Sequence, residues 1–347
     1  MIKNFFKNNS APKFIAEISA NHNGSIIKAK KLILNAKIYG ADAVKLQTYE
    51  PKTITINSKK KDFLLKAGPY RGLSLWQLYD KAKTPFDWHK ELFEYAAKLK
   101  IICFSTPFDE SSVDLLENLK CPFYKVASFE MTHMPLIKKI ARTRKSIIIS
   151  TGMANLKEID LTYYTAKKNG AKSVALLYCV SNYPSKISDF NLNNIKILKD
   201  RYKCKVGFSD HSNDYKIVSA AVAAGAELIE KHIALDGQRE GIDLDFSIKG
   251  KEIGDYVKTI KETYLLMGKK YFFNKKTTKK NLIFRRSIYA ISDIKKGQIF
   301  NLDNIKVIRP GFGIQPLFFE KLIGKKSPIN IKKNTKLKKI IIKKLKI

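Results

Sequence analysis

Phe14-Ile-Ala-Glu-Ile-Ser19 is a short apolar run that closes on Asn21-His-Asn-Gly24, and a helical pattern over residues 26–39 follows it. The same unit recurs seven more times along the chain. Ala43–Leu46 carries Lys45 and ends at Gln47-Thr48, and Ile101–Phe104 ends at Ser105-Thr-Pro-Phe108. Phe123–Ala127 carries Lys125 and ends at Ser128-Phe-Glu130, and Ile147–Ile149 ends at Ser150-Thr-Gly152. Val174–Leu177 leads to Ser181-Asn-Tyr-Pro184, Val206-Gly-Phe208 to Ser209-Asp-His211, and Leu228–Ile229 to Glu230-Lys-His232. Short apolar segments alternating with helical patterns predict a parallel sheet with crossover helices. Eight of them, each ending in residues able to do chemistry, predict a (β/α)8 barrel, whose active site gathers at the carboxyl ends of the strands.

Helix signals agree with this spacing. Ser25 can cap the first helix, and Gly40 follows its last turn. Thr84 before Pro85 reads as a cap followed by proline at the first helical position. Residues 50–83 break the rhythm. This long connection carries Trp76 and Tyr79, reads as a lid or specificity loop at the active-site face, and predicts a short helix near Leu73–Lys81. The barrel pattern ends at residue 268; residues 269–284 are Lys/Asn/Thr-rich and read as a linker, and 285–347 as a small β-rich unit.

Composition bounds the function. The chain has 347 residues, 44% of them hydrophobic, ample for a full core. No run approaches the ~18 apolar residues of a membrane span, and no signal peptide is visible, so a cytoplasmic location is expected. None of the four cysteines forms a CxxC pair, so they read as reduced core thiols. The net charge is +35, but only eight of 66 basic residues are Arg. The lysines are dispersed and no nucleic-acid motif is present, so the charge reads as a solvated basic surface; the alternative, a meaningful field, would favour anionic substrates.

Five histidines are available, and two of them, His211 and His232, end strands that are neighbours in a closed barrel. Two imidazoles there can hold one divalent ion and leave positions open for water and substrate. His89 and His133 read as structural or surface groups, and His22 lies in the first loop. Lys45 and Lys125 near strand ends need an anion to justify burial. With the hydroxyls of Thr106, Ser128, Ser150, Ser181 and Ser209 they form a candidate cradle for a phosphate and a carboxylate. Among the acids, Glu17 reads as an active-site group, Glu230 as a salt-bridge partner, and Asp243 as a loop residue able to orient a ligand histidine or to move protons.

Read together, these strings resemble the N-acetylneuraminate synthase family. The resemblance rests on Phe14 to Gly24, Lys45-Leu-Gln-Thr48, Phe104-Ser-Thr-Pro-Phe108, Tyr124 to Glu130, Ser150-Thr-Gly-Met153, Gly207 to His211 and Ile229-Glu-Lys-His232. Arg286-Ser-Ile-Tyr-Ala290, Asp293 to Gly297 and Arg309-Pro-Gly311 resemble that family's antifreeze-like (SAF) domain. Gln47 to Pro51 and Ala82 to His89 look most like its pseudaminic acid branch, with legionaminic and N-acetylneuraminate synthases as alternatives. The resemblance implies condensation of phosphoenolpyruvate with an open-chain acylamino sugar, here a 2,4-diacetamido trideoxyhexose, and release of phosphate. It assigns phosphoenolpyruvate to Lys45, Thr106, Lys125, Ser128, Ser150, Ser181 and Ser209. It assigns the sugar to Gln47, Phe108, Tyr183, Asp243 and Arg309, and a divalent metal (Mg, Mn or Co) to His211 and His232. Glu17 and Asp243 would be catalytic, and Arg309 would come from the partner in a domain-swapped homodimer. The Ser181-Asn-Tyr-Pro184 string departs from the Asn that sialic acid synthases carry before Ile-Tyr-Pro.

Overall fold

The computed structural model describes residues 5–6, 11–66, 70–180, 185, 187–268 and 276–347. Two compact units divide the chain, Met1–Gly268 and Lys269–Ile347.

In the first unit, eight strands pair in parallel in chain order: β1 (Lys13–Glu17), β2 (Ala43–Thr48), β3 (Ile102–Pro107), β4 (Tyr124–Val126), β5 (Ile147–Ser150), β6 (Val174–Cys179), β7 (Val206–Asp210) and β8 (Leu228–Ala234). Pairing of β1 with β8 closes the barrel. A two-residue strand, β9 (Ile248–Lys249), adds to the end of β8. Ile15, Val44, Phe104, Phe123, Ile148, Leu176, Phe208 and Ile229 are all buried, so the strands are apolar on both faces, as helix-covered parallel strands must be. Phe5 stacks on Phe123, 5.1 Å between centroids, and Phe123 packs on Phe104. Gly207 is required in β7: a β-carbon there would lie 2.2 Å from the Leu228 carbonyl oxygen.

The crossover helices are α1 (Ile26–Ile38), α3 (Phe86–Lys98), α4 (Glu110–Asn118), α5 (Met134–Arg142), α6 (Leu156–Lys168), α7 (Asn193–Tyr202), α8 (Tyr215–Ala223) and α9 (Glu252–Met267), with α2 (Leu75–Ala82) inside the long second connection. Ser25 caps α1 as expected, accepting from the Lys28 amide at 3.3 Å. Ser74 and Gln77 make a full capping box on α2, and Asn155 and Glu158 another on α6. Thr84 does not cap α3. The helix starts at Phe86 with Pro85 as its uncapped first flank, and the Thr84 hydroxyl instead faces His22 Nε2 at 3.3 Å. Among the described residues no helix is long and apolar enough to cross a membrane.

The strands run further than their apolar runs. Gln47-Thr48, Ser105–Pro107, Ser209-Asp210 and Glu230–Ala234 are paired strand residues, not loop. This sets which way each side chain faces. Successive strand residues alternate, so Lys45 and Gln47 share one face of β2 while Thr48 takes the other, bonded to His89 Nε2 at 2.8 Å. Likewise Glu230 and His232 face inward, and Lys231 faces out toward Asp210 and the Ser212 carbonyl.

The second unit is built around Ile288, Ile294, Phe300, Ile305, Ile314, Leu322, Leu337 and Ile341. Its regular sheet is one antiparallel ribbon, β10 (Ser287–Ala290) with β11 (Ile305–Ile308), so it is poorer in strand than expected. Of the expected linker, 269–275 lie outside the described residues and Lys276–Phe284 form a 3-10 helix. Arg309 is exposed directly after β11, and the Ser287 hydroxyl donates to the Pro310 carbonyl at 2.7 Å to hold that turn.

Candidate active site

At the carboxyl end of the barrel, Glu17 stands in register with Lys45 on one side and His232 on the other. Lys45 Nζ lies 2.5 Å from Glu17 Oε2 and 3.3 Å from Glu230 Oε1. Lys125 Nζ donates to the same Glu230 oxygen at 3.2 Å, and Ser209 Oγ at 3.1 Å. Lys45 also reaches Thr106 Oγ1 at 3.4 Å. Two ammonium groups and two carboxylates thus alternate in a buried cluster. The lysines are not bare anion receptors, since in this structure Glu17 and Glu230 hold their charges, and Glu230 is the salt-bridge partner expected.

Burial works against all four charges. It lifts Glu17 to about 7 despite the pull of Lys45. It is outweighed at Glu230, which Lys125 and Lys45 hold down to about 2. Burial pulls Lys125 below the ordinary lysine range, with Glu230 offsetting part of the shift. At Lys45 the burial penalty loses to Glu17 and Glu230, which keep it above that range.

The other expected cradle hydroxyls lie around the same rim. Ser150 Oγ is buried with no hydrogen-bond partner among the described residues. Ser128 Oγ faces the buried Cys179 Sγ at 3.7 Å. Ser181 and Tyr183 lie outside the described residues.

On the β7–β8 side, the rings of His211 and His232 lie 5.4 Å apart between centroids. Phe246 packs its edge on both, 5.6 Å from His211 and 4.9 Å from His232. Burial first, and then each other's proximity, keeps His232 well below the ordinary histidine range, while burial holds His211 near about 4. Both are therefore neutral at physiological pH, the state that ligates metal. His232 Nδ1 is buried without a hydrogen bond and lies 3.7 Å from Asp243 Oδ2. An orphaned neutral imidazole nitrogen beside a carboxylate fits a divalent ion. Among the described residues no third His, Cys, Asp or Glu joins the pair in a ligand set, so water and substrate would complete the shell.

The residues expected to contact the sugar are joined by one that escaped the sequence reading. Ser19 donates to Asp243 Oδ2, accepts from Gln47 Nε2 at 2.9 Å, and donates its amide to Glu17 Oε1 at 2.8 Å. Phe108 packs against Tyr49 at 5.0 Å, and Tyr49 against Tyr79 of α2 at 5.9 Å. The long second connection therefore does reach the site. Its Tyr70 hydroxyl donates to the Ile242 carbonyl beside Asp243 at 2.9 Å. His22 does not join these groups: its ring is buried against Trp88 and Thr84 and accepts from the Gly24 amide at 3.2 Å. His89 is buried and structural, and His133 is part-exposed beside Glu110.

Glu130, at the end of the 3-10 turn Ser128–Glu130 that follows β4, has a buried Oε2 without a partner, and burial raises it from 4.5 to about 7. A raised carboxyl keeps its proton in the folded state after the unfolded chain has lost it. Stability contributed by this group is thus present below about 4.5 and is lost as pH rises toward about 7. Glu130→Gln is expected to stabilise the protein at pH 8 by on the order of 2 kcal/mol and to leave it unchanged near pH 4. Urea unfolding at the two pH values checks this.

A closed eight-stranded barrel with a buried charge cluster and an imidazole pair at its carboxyl rim, followed by a small ribbon unit, defines a two-domain barrel enzyme. The NeuB family model matches residues 32–271 and the SAF domain model residues 285–339, and the chain belongs to the NeuB family. Pseudaminic acid synthase of Campylobacter jejuni is 41% identical over 93% of this chain and 94% of its own length. N,N'-diacetyllegionaminic acid synthase of the same species is also 41% identical, over 92% and 97%. The crystal structure of the N-acetylneuraminic acid synthetase of Leptospira borgpetersenii in complex with citrate superposes with a TM-score of 0.71, at 29% identity, over 80% of this chain and 92% of that one.

Proposed function

We propose that this protein acts as a pseudaminic acid synthase. It joins phosphoenolpyruvate to the open-chain aldehyde of 2,4-diacetamido-2,4,6-trideoxy-altrose, giving a nine-carbon 2-keto sugar acid and phosphate. The single observation that carries the reading is the convergence of Lys45, Lys125, Thr106 and Ser209 with the His211–His232 pair at one barrel rim.

Lys45 and Lys125, with Thr106, Ser128, Ser150 and Ser209, bind the phosphate and carboxylate of the donor and hold its methylene carbon toward the acceptor. The orphaned Ser150 hydroxyl is a donor awaiting such an anion. Ser181 belongs to the same set by resemblance. His211 and His232 would hold a divalent ion, Mg, Mn or Co, which when bound supplies Lewis acidity for a carbonyl oxygen. Gln47, Phe108 and Asp243, with Tyr183 and Arg309 by resemblance, take the sugar. The methylene carbon of the donor bonds to the aldehyde carbon. Water then adds to the former enol carbon, and the carbon–oxygen bond to phosphate breaks. Glu17 and Asp243 are the carboxylates placed to hold and pass that water's proton.

Arg309 would arrive from a second copy in a domain-swapped homodimer. Supporting this, Phe129, Met153, Leu156 and Ile187 expose large apolar surfaces on the connections after β4, β5 and β6, at the same end of the barrel as the site. A cytoplasmic location, where phosphoenolpyruvate is found, belongs to the same reading.

Identity to relatives does not separate the acceptor sugars, so turnover must. Phosphate release is expected with the diacetamido trideoxy-altrose at a kcat/KM at least about tenfold above that with N-acetylmannosamine, and to stop with chelator. Faster turnover of N-acetylmannosamine, or of the legionaminic precursor, would overturn the choice of sugar.

A further inference from the structure

Ser19 follows β1 in a backbone conformation that serine rarely adopts. Its φ is +47°, the left-handed region in which glycine carries no penalty and any other residue costs about 1–2 kcal/mol. It is 3% exposed, so this strain is not relieved by solvent or mobility. A serine kept in such a place must use its side chain, and the structure shows how. The hydroxyl bridges Asp243 Oδ2 and Gln47 Nε2, and the amide of the same residue holds Glu17 Oε1. One residue thereby touches the carboxylate of β1, the amide of β2 and the carboxylate after β8.

The polarity of that bridge has a chemical consequence. A carboxylate oxygen only accepts, so the Ser19 hydrogen is committed to Asp243. The Ser19 oxygen is then left as an acceptor, and Gln47 must offer it an N–H. This fixes the Gln47 amide flip and leaves Oε1 outside the bridge, so on the synthase reading Oε1 is the acceptor offered to the sugar. The group that Oε1 recognises is a donor, such as the N–H of an acylamino substituent or a sugar hydroxyl.

We propose that Ser19 is a positioning residue that sets acceptor-sugar recognition by locking the Gln47 amide and the Asp243 carboxylate in one orientation. The proposal rests on the synthase reading above and adds a determinant to its sugar side. Ser19 acts through Gln47 and Asp243 and need not touch the sugar.

Two variants test it. Ser19→Gly removes the hydroxyl and relieves the backbone, so it should fold and melt close to the parent. Ser19→Ala removes the hydroxyl and keeps the β-carbon. Steady-state phosphate release with the parent protein first establishes that the diacetamido sugar turns over; its failure there sinks the synthase reading and the proposal with it. With turnover in hand, both variants should raise KM for the sugar by about tenfold or more while KM for phosphoenolpyruvate stays within about twofold. Sugars lacking one acetamido group should lose less, since the contact they would miss is already loosened. Unchanged sugar KM in both variants overturns the proposal and leaves the synthase reading standing. So does an equal rise in both KM values, which would mean a general loosening. A defect in Ser19→Gly that Ser19→Ala does not share overturns it as well, because the backbone and not the hydroxyl would then be responsible.

Discussion

His232→Ala is expected to abolish metal-dependent phosphate release, by about a thousandfold or more, while scarcely changing stability. The two halves of this expectation have separate causes. His232 projects from β8 into the rim beside His211, and among the described residues no third His, Cys, Asp or Glu completes a ligand set with them. Removing one halves the protein's contribution to the ion. Stability behaves differently because the imidazole already bears a cost at this position. Its buried Nδ1 has no hydrogen bond, and an unsatisfied buried polar atom costs about 1–3 kcal/mol. Truncation removes that cost while losing the packing of the ring on Phe246, and the two nearly offset. Calorimetric titration with manganese should show the parent binding one ion and His232→Ala none. A variant that binds and turns over like the parent removes the imidazole pair from the chemistry.

Lys45→Met is the second large expectation, and here stability and activity fall together. Lys45 is 4% exposed and stands between Glu17 and Glu230. Without it, two buried carboxylates share a rim with Lys125 as the one cation bonded to either. Removing one partner of a buried ion pair typically costs about 3–5 kcal/mol, because the other charge is left uncompensated. The same substitution deletes an ammonium from the proposed donor cradle, so kcat/KM for phosphoenolpyruvate should drop by about a thousandfold or more. The double variant Lys45→Met/Glu17→Gln tests the stability half, since Glu17→Gln by itself removes a carboxylate proposed to be catalytic. Removing the stranded charge should recover much of the lost stability, whereas activity should stay lost. Recovery of activity in the double variant would contradict both the donor-binding role of Lys45 and the catalytic role of Glu17.

Much of this site could be read in the chain because the barrel imposes a rule: strands are apolar until they reach the mouth. Lys45 and Lys125 broke that rule inside apolar runs, and His211 and His232 broke it at the ends of adjacent ones. What hydropathy could not show is where a strand stops. Ser209-Asp210 and Lys231-His232 look like loop by polarity, yet backbone pairing continues through them, and only pairing tells that Ser209 and Glu230 share the interior while Asp210 and Lys231 face the helices. The occupied state of the lysines was equally hidden, since it depends on Glu17 and Glu230 coming together at Lys45 from the adjacent strands β1 and β8, at positions more than two hundred residues apart in sequence. Ser19 left no mark at all. Its role comes from a left-handed backbone and two partners on other strands, and a serine in a run of Ser-Ala-Asn reads simply as turn. Thr84 misled for a related reason: a Thr-Pro pair reads as a helix cap, but tertiary contact with His22 claimed the hydroxyl.

The most direct measurement follows one oxygen atom. Phosphoenolpyruvate labelled with heavy oxygen at the bridge between carbon and phosphorus is turned over with the diacetamido trideoxy-altrose, and the products are weighed by mass spectrometry. Attack of water on carbon, the step that the Lys45–Lys125 cradle and the neighbouring carboxylates are placed to support, sends all of the label into phosphate. Label retained in the sugar acid, with a solvent oxygen in the phosphate, would mean cleavage at phosphorus and would contradict the chemistry assigned to this barrel.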